Sequence, residues 1–496
     1  KRALSVWTEL NPMAQQLIEA YPLPFAGGHR LVFPQERISL DLWLGDAADC
    51  FPMMHSEQPV NAWFLDGFAP ACNPELWEEQ IFNHIMRLSA QGTTFASFSV
   101  AGVLKRALKS YGVSITRPKG FGHKREMLKA IWQDNAPPTL EPKTPEVLHI
   151  IGSGIAGLTC AWTAAQRGIT VHLYDQSAPL SGASGNPLAF LNPKLPPIEQ
   201  APIHLMLVCW QYAMRFYQNF DAFKPIKIEQ THEKDLAQIA QIAHTYPNQL
   251  VSYQELDNQK GKLCLHQGAA LSPHAFAKVV LEHPLVHFHQ TKIEKIEPVK
   301  DAYQLITQHE CISAKHVICC NARELNSLLP NTPLLKPIRG QVSWAKVTQK
   351  FHESTQHTGF SYGGYAVPLN ENELIFGASF LPKDDSSELT EKDHEHNFTL
   401  LDQYLPQLSQ QLVAKSDWQG RASVRAQSAD YFPLVGLVNK DLPHLYCFAG
   451  LGSKGFLFAP LCSELLMSII YQQPLPMPQE LVQKLRPQRF RKKGLV

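Results

Sequence analysis

The residues best suited to chemistry begin with Gly152-Ser153-Gly154-Ile155-Ala156-Gly157, followed downstream by Asp175. A glycine at the first position of this pattern permits a tight turn. One at the second lets the backbone come close to a pyrophosphate, and one at the third lets a helix pack against a strand. A helix starting there offers unpaired N–H groups and the positive end of its dipole to phosphates. A carboxylate at Asp175 suits a ribose hydroxyl, which favours an unphosphorylated ribose, as in FAD or NAD, over NADP.

Two further acids follow apolar runs. Residues 38–44 lead into Asp46, and residues 60–65, with Trp63 and Phe64, lead into Asp66. In α/β sheets, ligands sit beyond the carboxyl ends of strands. Asp66 heads a loop stiffened by Pro70 and Pro74. There it either accepts a hydrogen bond from an amine nucleophile or simply caps a turn. Downstream, residues 117–125 hold Arg117, Lys119, His123, Lys124 and Arg125 around Gly120-Phe121-Gly122. A charge run of this kind is commonly a solvated face. Cations interleaved with an aromatic and flexible glycines also suit phosphate contact and base stacking, with Lys119, Lys124 and Arg125 as the RNA contacts.

The elements that must position these groups follow from periodicity and turn signals. Residues 147–151 read as a strand, 158–166 as a helix and 170–174 as a second strand, so the glycines fall in a βαβ unit. Gly182-Ala183-Ser184-Gly185-Asn186 follows closely and offers bare backbone to a second part of a cofactor. At the far end, 445–449 reads as a strand running into Gly450-Leu451-Gly452-Ser453-Lys454-Gly455, then an apolar helix over 459–470. Two glycine-rich strand-to-helix turns meeting on one extended dinucleotide favour FAD. Between them, 204–220 and 270–283 read as helices. Residues 285–296, 302–306, 316–320, 364–368 and 374–380 read as strands, and 391–404 as a helix. The aromatic residues of 204–220 are expected in the core.

At 496 residues the chain is long enough for about three domains. Apolar residues make up 44% and charged residues 18%, a globular composition with a sizeable core. A net charge of +1 excludes binding nucleic acid through overall charge and leaves it to local patches. Ten scattered cysteines with no CxxC pair argue against a disulfide framework or zinc site, and no metal is expected. No apolar run is expected to reach the roughly 20 residues that span a bilayer, and no signal-peptide pattern opens the chain. The cytoplasm is therefore the expected location. Prolines 137, 138, 142 and 145 mark a linker. Basic residues at Arg486, Arg489, Arg491, Lys492 and Lys493 suggest a disordered tail with phosphate contacts.

With these residues in view, the second part of the chain resembles the D-amino-acid-oxidase-like (DAO-like) FAD amine oxidases. The resemblance rests on the Gly152–Gly157 turn with its acid, Gly182 to Asn186, Arg339-Gly340-Gln341, the Arg425…Asp430…Pro433…Gly436 run, and Gly450 to Gly455. The whole chain resembles the bifunctional tRNA 5-methylaminomethyl-2-thiouridine biosynthesis enzymes. Their methyltransferase half carries Asp-Gly-Phe-Ala-Pro-Ala-x-Asn-Pro-x-x-Trp, met by Asp66 to Trp77. It also carries Gly-Phe-Gly-x-Lys-Arg-Glu-Met, met by Gly120 to Met127. Three positions depart from the pattern: Lys454 stands for an arginine, Cys72 for a lysine and Ala322 for a glycine.

The resemblance implies an α/β chain in three parts. A partial Rossmann-like methyltransferase domain covers 1–132, a Pro-rich linker 133–145, and a Rossmann-type FAD domain 146–496 with an inserted mixed β-sheet substrate domain. It implies oxidative removal of the carboxymethyl group from 5-carboxymethylaminomethyl-(2-thio)uridine at the tRNA wobble position. N-methylation of the resulting amine from S-adenosylmethionine then follows. Arg425, with Arg421 second, is implied as the carboxylate anchor, and Arg339 and Gly340 as cofactor contacts. Asp66 is implied as the group that holds and deprotonates the amine, and Asp46 as a neighbour of the adenosylmethionine base. The family's adenosylmethionine glycine turn belongs upstream of Lys1, so these 496 residues are expected to methylate weakly. A competing reading is a small-molecule glycine or amino-acid oxidase with a vestigial N-terminal block. No protein partner or membrane is expected.

Overall fold

Parallel strands need a crossover, and a glycine turn followed by a helix supplies one. Val147–Ile151, the helix Ile155–Ala165 and Thr170–Asp175 form such a unit in the computed structural model, which describes residues 8–67, 72–133, 145–256 and 259–493. The two strands pair in parallel from Val147↔Thr170 to Ile151↔Tyr174. Val317–Cys319 lies on the other side of the first strand, and Leu445–Ala449 lies next to it, both parallel. Val286–Gln290 and the antiparallel Leu434–Leu437 complete a six-stranded sheet. Strands buried on both faces should read as continuous apolar runs, and all five residues of Leu445–Ala449 are buried.

The helix Gly455–Ile470 fills the centre, packed on Ile155–Ala165 and on Leu205–Tyr217. The segment Gly452–Ile470 is long and apolar enough to cross a membrane, contrary to the expectation that no apolar run is, and most of it is buried in this core. Trp210, Tyr212 and Tyr217 of the helix Leu205–Tyr217 are buried in the same core, as expected from their spacing. The apolar stretch 285–296 is two strands rather than one. Val286–Gln290 joins the Rossmann sheet, and Lys295–Val299 starts a three-stranded meander on its other face. The inserted unit is a ten-stranded mixed sheet. Its spine, Lys336–Lys346, pairs antiparallel with Gln419–Gln427 from Lys336↔Gln427 to Trp344↔Gln419.

The first 133 residues build two pieces. Ala62–Phe64, Thr94–Ser97, Leu128–Ile131 and Ser114–Thr116 form a mixed four-stranded sheet. Helices Glu79–Arg87 and Gly102–Ser110 cover one face, with Ile81, Phe82, Leu104 and Leu108 packed on Phe95 and Leu128. The run 60–65 is apolar, yet Phe64 is 81% exposed, because Ala62–Phe64 is an edge strand and Phe64 alternates away from the helices. Ile38–Leu44 does not join this sheet. It pairs with Gly27–Phe33 in a separate antiparallel ribbon. Most of the proline-rich stretch, 134–144, and residues 68–71 of the Asp66 loop lie outside the described residues.

The ribbon docks on the second half through a buried charge network. Arg30, 2% exposed, donates to Asp41 across the ribbon, and to Glu464 (3.4 Å), Ser468 (3.2 Å) and the Pro474 carbonyl (2.8 Å) on the far side. Glu464, on the central helix, also accepts two bonds from Arg167 at 3.1 and 2.6 Å. Burial alone would raise the Glu464 carboxyl; Arg167 and Arg30 outweigh it and hold the group below its ordinary value. At Asp41 burial wins over Arg30, and the carboxyl is pushed up. Nearby, the Leu475 N–H donates to the His55 carbonyl (2.9 Å) and Gln58 donates to Gln472 (2.6 Å).

Removing one member of a buried ion network leaves the others unpaired, at a cost of about 3–5 kcal/mol. Arg30→Ala is therefore expected to lower the stability of the whole chain by about that amount in urea unfolding. Unfolding of the variant indistinguishable from the parent would contradict this.

Candidate active site

The two glycine turns face one cavity of about 750 Å³. That is within the roughly 300–1,000 Å³ typical of small-molecule and cofactor sites. It runs from Asp175 and Gln176 at the end of the second Rossmann strand to Tyr365 and Arg425 on the inserted sheet. Gly152, Gly154, Ile155 and Ala156 line it from the first turn, and Gly450, Gly452, Ser453, Lys454 and Gly455 from the second.

The three glycines of the first turn are required for different reasons. Gly152 has φ +106, and a Cβ there would lie 2.6 Å from the Cys320 carbonyl. A Cβ on Gly157 would collide with the Gly152 carbonyl oxygen. Gly154 has no such conflict; its nearest neighbour would be Ser184 Oγ at 3.4 Å. Gly182 likewise would meet nothing within 4 Å and has no positive φ. These last two leave the cavity wall bare, which fits a ligand that lies against the backbone. Asp175 accepts from the Ser153 N–H (2.7 Å) and hydroxyl (2.8 Å) and from the Ser177 N–H (3.0 Å), so its carboxylate is fixed at the cavity edge. The Ser184 hydroxyl accepts from the Ile155 N–H at 3.1 Å, and Gly182, Ala183, Ser184 and Asn186 all line the cavity. Gly185 lies behind the wall, its carbonyl 3.2 Å from His274 Nε2.

Three arginines on the paired strands Lys336–Lys346 and Gln419–Gln427 have different surroundings. Arg421 donates to the carbonyls of Leu180, Ser181 and Gly182 and to Asn186, at 3.4, 2.7, 2.5 and 3.3 Å. It fastens the 180–186 loop and is not among the residues that line the cavity, where a second carboxylate anchor was expected. Arg339 is 1% exposed. It pairs with Asp393 and donates to Gln341 (3.2 Å) and the Glu388 carbonyl (2.5 Å). It lies outside the cavity lining, so its expected cofactor contact is replaced by anchorage of segment 384–393. Arg425 is half-buried, lines the cavity, and has no hydrogen bond or ion pair among the described residues. Gly340 makes room for it: a Cβ there would collide with the Arg425 guanidinium. Burial pulls Arg425 below its ordinary value, and burial pushes the facing Tyr365 hydroxyl up to about 12. A desolvated guanidinium without a partner is costly unless an anion completes it.

Lys454 donates to the Asn192 carbonyl at 2.7 Å. Burial, with Lys194 adding repulsion, lowers its amine to about 8. Ala322, where the resemblance predicts glycine, has φ +47 at the cavity wall. That is the left-handed region where a Cβ costs about 1–2 kcal/mol. Tyr365 escaped the sequence reading. The only available signal was the Gly363-Gly364 pair before its strand, which marks a tight hairpin but not an orientation. Arg489 of the basic tail is committed to Asp430 by two 2.8 Å bonds, so it is no free phosphate contact. The side chains of 491–493 lie outside the described residues.

In the first half, Asp66 is exposed just beyond the Ala62–Phe64 strand. The Leu65 N–H bonds to the Ala96 carbonyl (2.8 Å), so Asp66 sits beside the end of the neighbouring strand Thr94–Ser97. Asp46 caps the helix Ala47–Met53 by accepting from the Ala48 N–H at 2.8 Å. Because Ile38–Leu44 belongs to the ribbon, Asp46 is not at the carboxyl edge of the sheet that carries Asp66, as the strand count had implied. Lys119, Lys124 and Arg125 are exposed on the turn before Leu128–Ile131.

An FAD pyrophosphate placed in this cavity would gain from the Lys454 charge only while the amine is protonated, so its binding is expected to weaken as pH rises through about 8. Flavin fluorescence titration from about pH 7 to about pH 9.5 is expected to show this loss. Lys454→Arg, which stays charged throughout, should remove it. Parallel pH profiles for the two proteins would contradict a role for Lys454 at the cofactor.

Comparison with known proteins bears on both halves. Residues 8–133 match a family described as S-adenosyl-L-methionine-dependent methyltransferase, and residues 148–469 one described as FAD dependent oxidoreductase. Among solved structures, L-proline dehydrogenase from P. horikoshii superposes with a TM-score of 0.58 over 72% of this chain and 100% of that one, at 16% identity. Glycine oxidase from Geobacillus kaustophilus gives 0.55 over 66% and 94%, also at 16%. These establish the DAO-type fold of the second half. The tRNA 5-methylaminomethyl-2-thiouridine biosynthesis bifunctional protein MnmC of Acinetobacter baylyi is 53% identical over 99% of this chain and 81% of its own length. That of Psychrobacter cryohalolentis is 34% identical over 97% and 78%. With similarity at that level running through both halves, the chain belongs to the MnmC family of bifunctional proteins, which join a methyltransferase to an FAD-dependent oxidoreductase.

Proposed function

We propose that the second half oxidises the carboxymethylaminomethyl side chain of a tRNA wobble uridine, 5-carboxymethylaminomethyl-(2-thio)uridine, to the aminomethyl form. The first half then methylates that amine from S-adenosyl-L-methionine. The names of the relatives and the two matched families support this reading. The observation that carries the oxidase step is Arg425, a half-buried cation without a partner, in the cavity lined by both glycine turns. The substrate side chain is an N-substituted glycine, and its carboxylate is the anion that completes the guanidinium.

FAD, when bound, accepts the hydride of the carbon between nitrogen and carboxylate. The first turn and the Ser184 loop would hold the dinucleotide, Asp175 would take the ribose, and Lys454 would supply positive charge to its anionic part. Arg425 grips the carboxylate in a two-pronged contact, with Tyr365 beside it, and so fixes that carbon's position. Loss of the hydride and the N–H proton leaves a C=N bond in the substrate. Water adds to the carbon, the C–N bond breaks, and glyoxylate and the aminomethyl base separate. In the first half, Asp66 accepts a proton from the amine so that the nitrogen lone pair meets the methyl group in line. Lys119, Lys124 and Arg125 hold tRNA phosphates, an attraction that weakens with salt. Action on tRNA implies work in the cytoplasm.

Truncating one partner of a desolvated charge pair removes about 2–5 kcal/mol. Arg425→Ala is expected to slow reduction of bound flavin by undermodified tRNA about 100-fold or more, while the flavin absorbance of the purified variant is unchanged. Arg425→Lys, a point charge without the fork, should fall between. Full turnover in Arg425→Ala would remove the carboxylate-anchor role.

A further inference from the structure

The turn 118–127 is held rigidly, and its tip is apolar. The Gly120 N–H donates to the Arg125 carbonyl (3.2 Å), the Lys124 N–H to the Phe121 carbonyl (3.2 Å) and the Met127 N–H to the Pro118 carbonyl (3.0 Å). Lys119 and Glu126 form a β-bridge, and a Cβ on Gly120 would lie 2.5 Å from the Lys124 Cβ. On this scaffold Phe121 is 89% exposed. A phenylalanine fixed in water gains nothing from the fold, since its burial would be worth about 1.5–3 kcal/mol.

Its neighbours are cations. Arg117 is paired with Glu126 at 3.3 Å, but Lys119 and Arg125 have no ion pair among the described residues. Lys124 lies 5.0 Å over the ring of Phe98, itself 41% exposed at the end of Thr94–Ser97. Phe98 and Asp66 follow adjacent parallel strands, so one edge of the sheet presents a carboxylate, two exposed aromatic rings and three cations. Aromatic faces flanked by phosphate-binding cations suit an unstacked single-stranded RNA base.

We infer that Phe121 stacks on an anticodon-loop base next to the wobble uridine and, with Lys124 and Phe98, holds the loop open so that the uridine side chain reaches Asp66. This rests on the tRNA reading of the methyltransferase half and names Phe121 as a positioning residue of that site. Lys119 and Arg125 contact the flanking phosphates. The stacking contribution is indifferent to salt, whereas the phosphate contribution is not.

The test uses the full chain and an anticodon stem–loop RNA with 2-aminopurine beside the wobble position. The parent protein is expected to quench the 2-aminopurine on binding. Phe121→Ala should lose the quench and bind about tenfold more weakly with the same salt slope. Phe121→Trp should restore both quench and affinity. Lys119→Ala should instead reduce the salt slope. Unchanged quench and affinity in Phe121→Ala overturns the stacking role and leaves the tRNA reading intact. Phe121-dependent binding to phosphatidylserine vesicles, with RNA binding unaffected by the substitution, overturns it in favour of a membrane contact. Failure of the parent to bind the RNA at all overturns the tRNA reading itself, and the inference with it.

Discussion

Three short parallel strands govern the oxidase half. Val147–Ile151 and Leu445–Ala449 come from opposite ends of that half, and Val317–Cys319 pairs with both. A parallel strand leaves the sheet at its carboxyl end, so the turns at Gly152 and Gly450 must emerge on the same edge. The cavity between them follows from that register. The rest of the chain fills in around it: the helix Gly455–Ile470 packs the centre, and the inserted mixed sheet supplies the opposite wall.

Placing charge against that cavity is expensive, and the three arginines show how the fold manages it. Arg339 is buried and paired, Arg421 is tied to carbonyls of the 180–186 loop, and of the three Arg425 alone lines the cavity. Arg421 and Arg425 are four residues apart on one strand, so both point to the same face. What separates them is the neighbour across the sheet. Gly340, diagonally across from Arg425 and opposite Ser423, gives its guanidinium an open bed, while the 180–186 loop arches over Arg421. A second buried charge, Glu464, joins the halves, since Arg167 holds it from within the oxidase and Arg30 from the N-terminal ribbon.

Much of this was legible in the sequence where chemistry is local. The glycine turns are fixed by backbone sterics, and their roles could be assigned position by position, with Gly152 and Gly157 required by contacts and Gly154 by the empty wall. Helix Glu391–Tyr404 was placed at its observed bounds, and in the structure the Thr390 side chain caps it. The arginines were not separable, because a guanidinium's role depends on partners distant in the chain: Asp393 for Arg339, the Ser181 carbonyl for Arg421. Strand 38–44 was found but not its partner, since strand character does not specify which edge it joins. Tyr365 was hidden for the same reason, its direction being set by pairing with Gly377 across the sheet.

The central claim is that the cation at Arg425 receives a carboxylate carried on tRNA rather than a free amino acid. Mass spectrometry of wobble nucleosides, with glyoxylate measured alongside, tests this most directly when the FAD-loaded protein is given undermodified tRNA together with excess free glycine. The account predicts conversion of 5-carboxymethylaminomethyl-(2-thio)uridine to its aminomethyl form with equimolar glyoxylate. Glyoxylate formed from glycine while the tRNA nucleoside stays unchanged would contradict it.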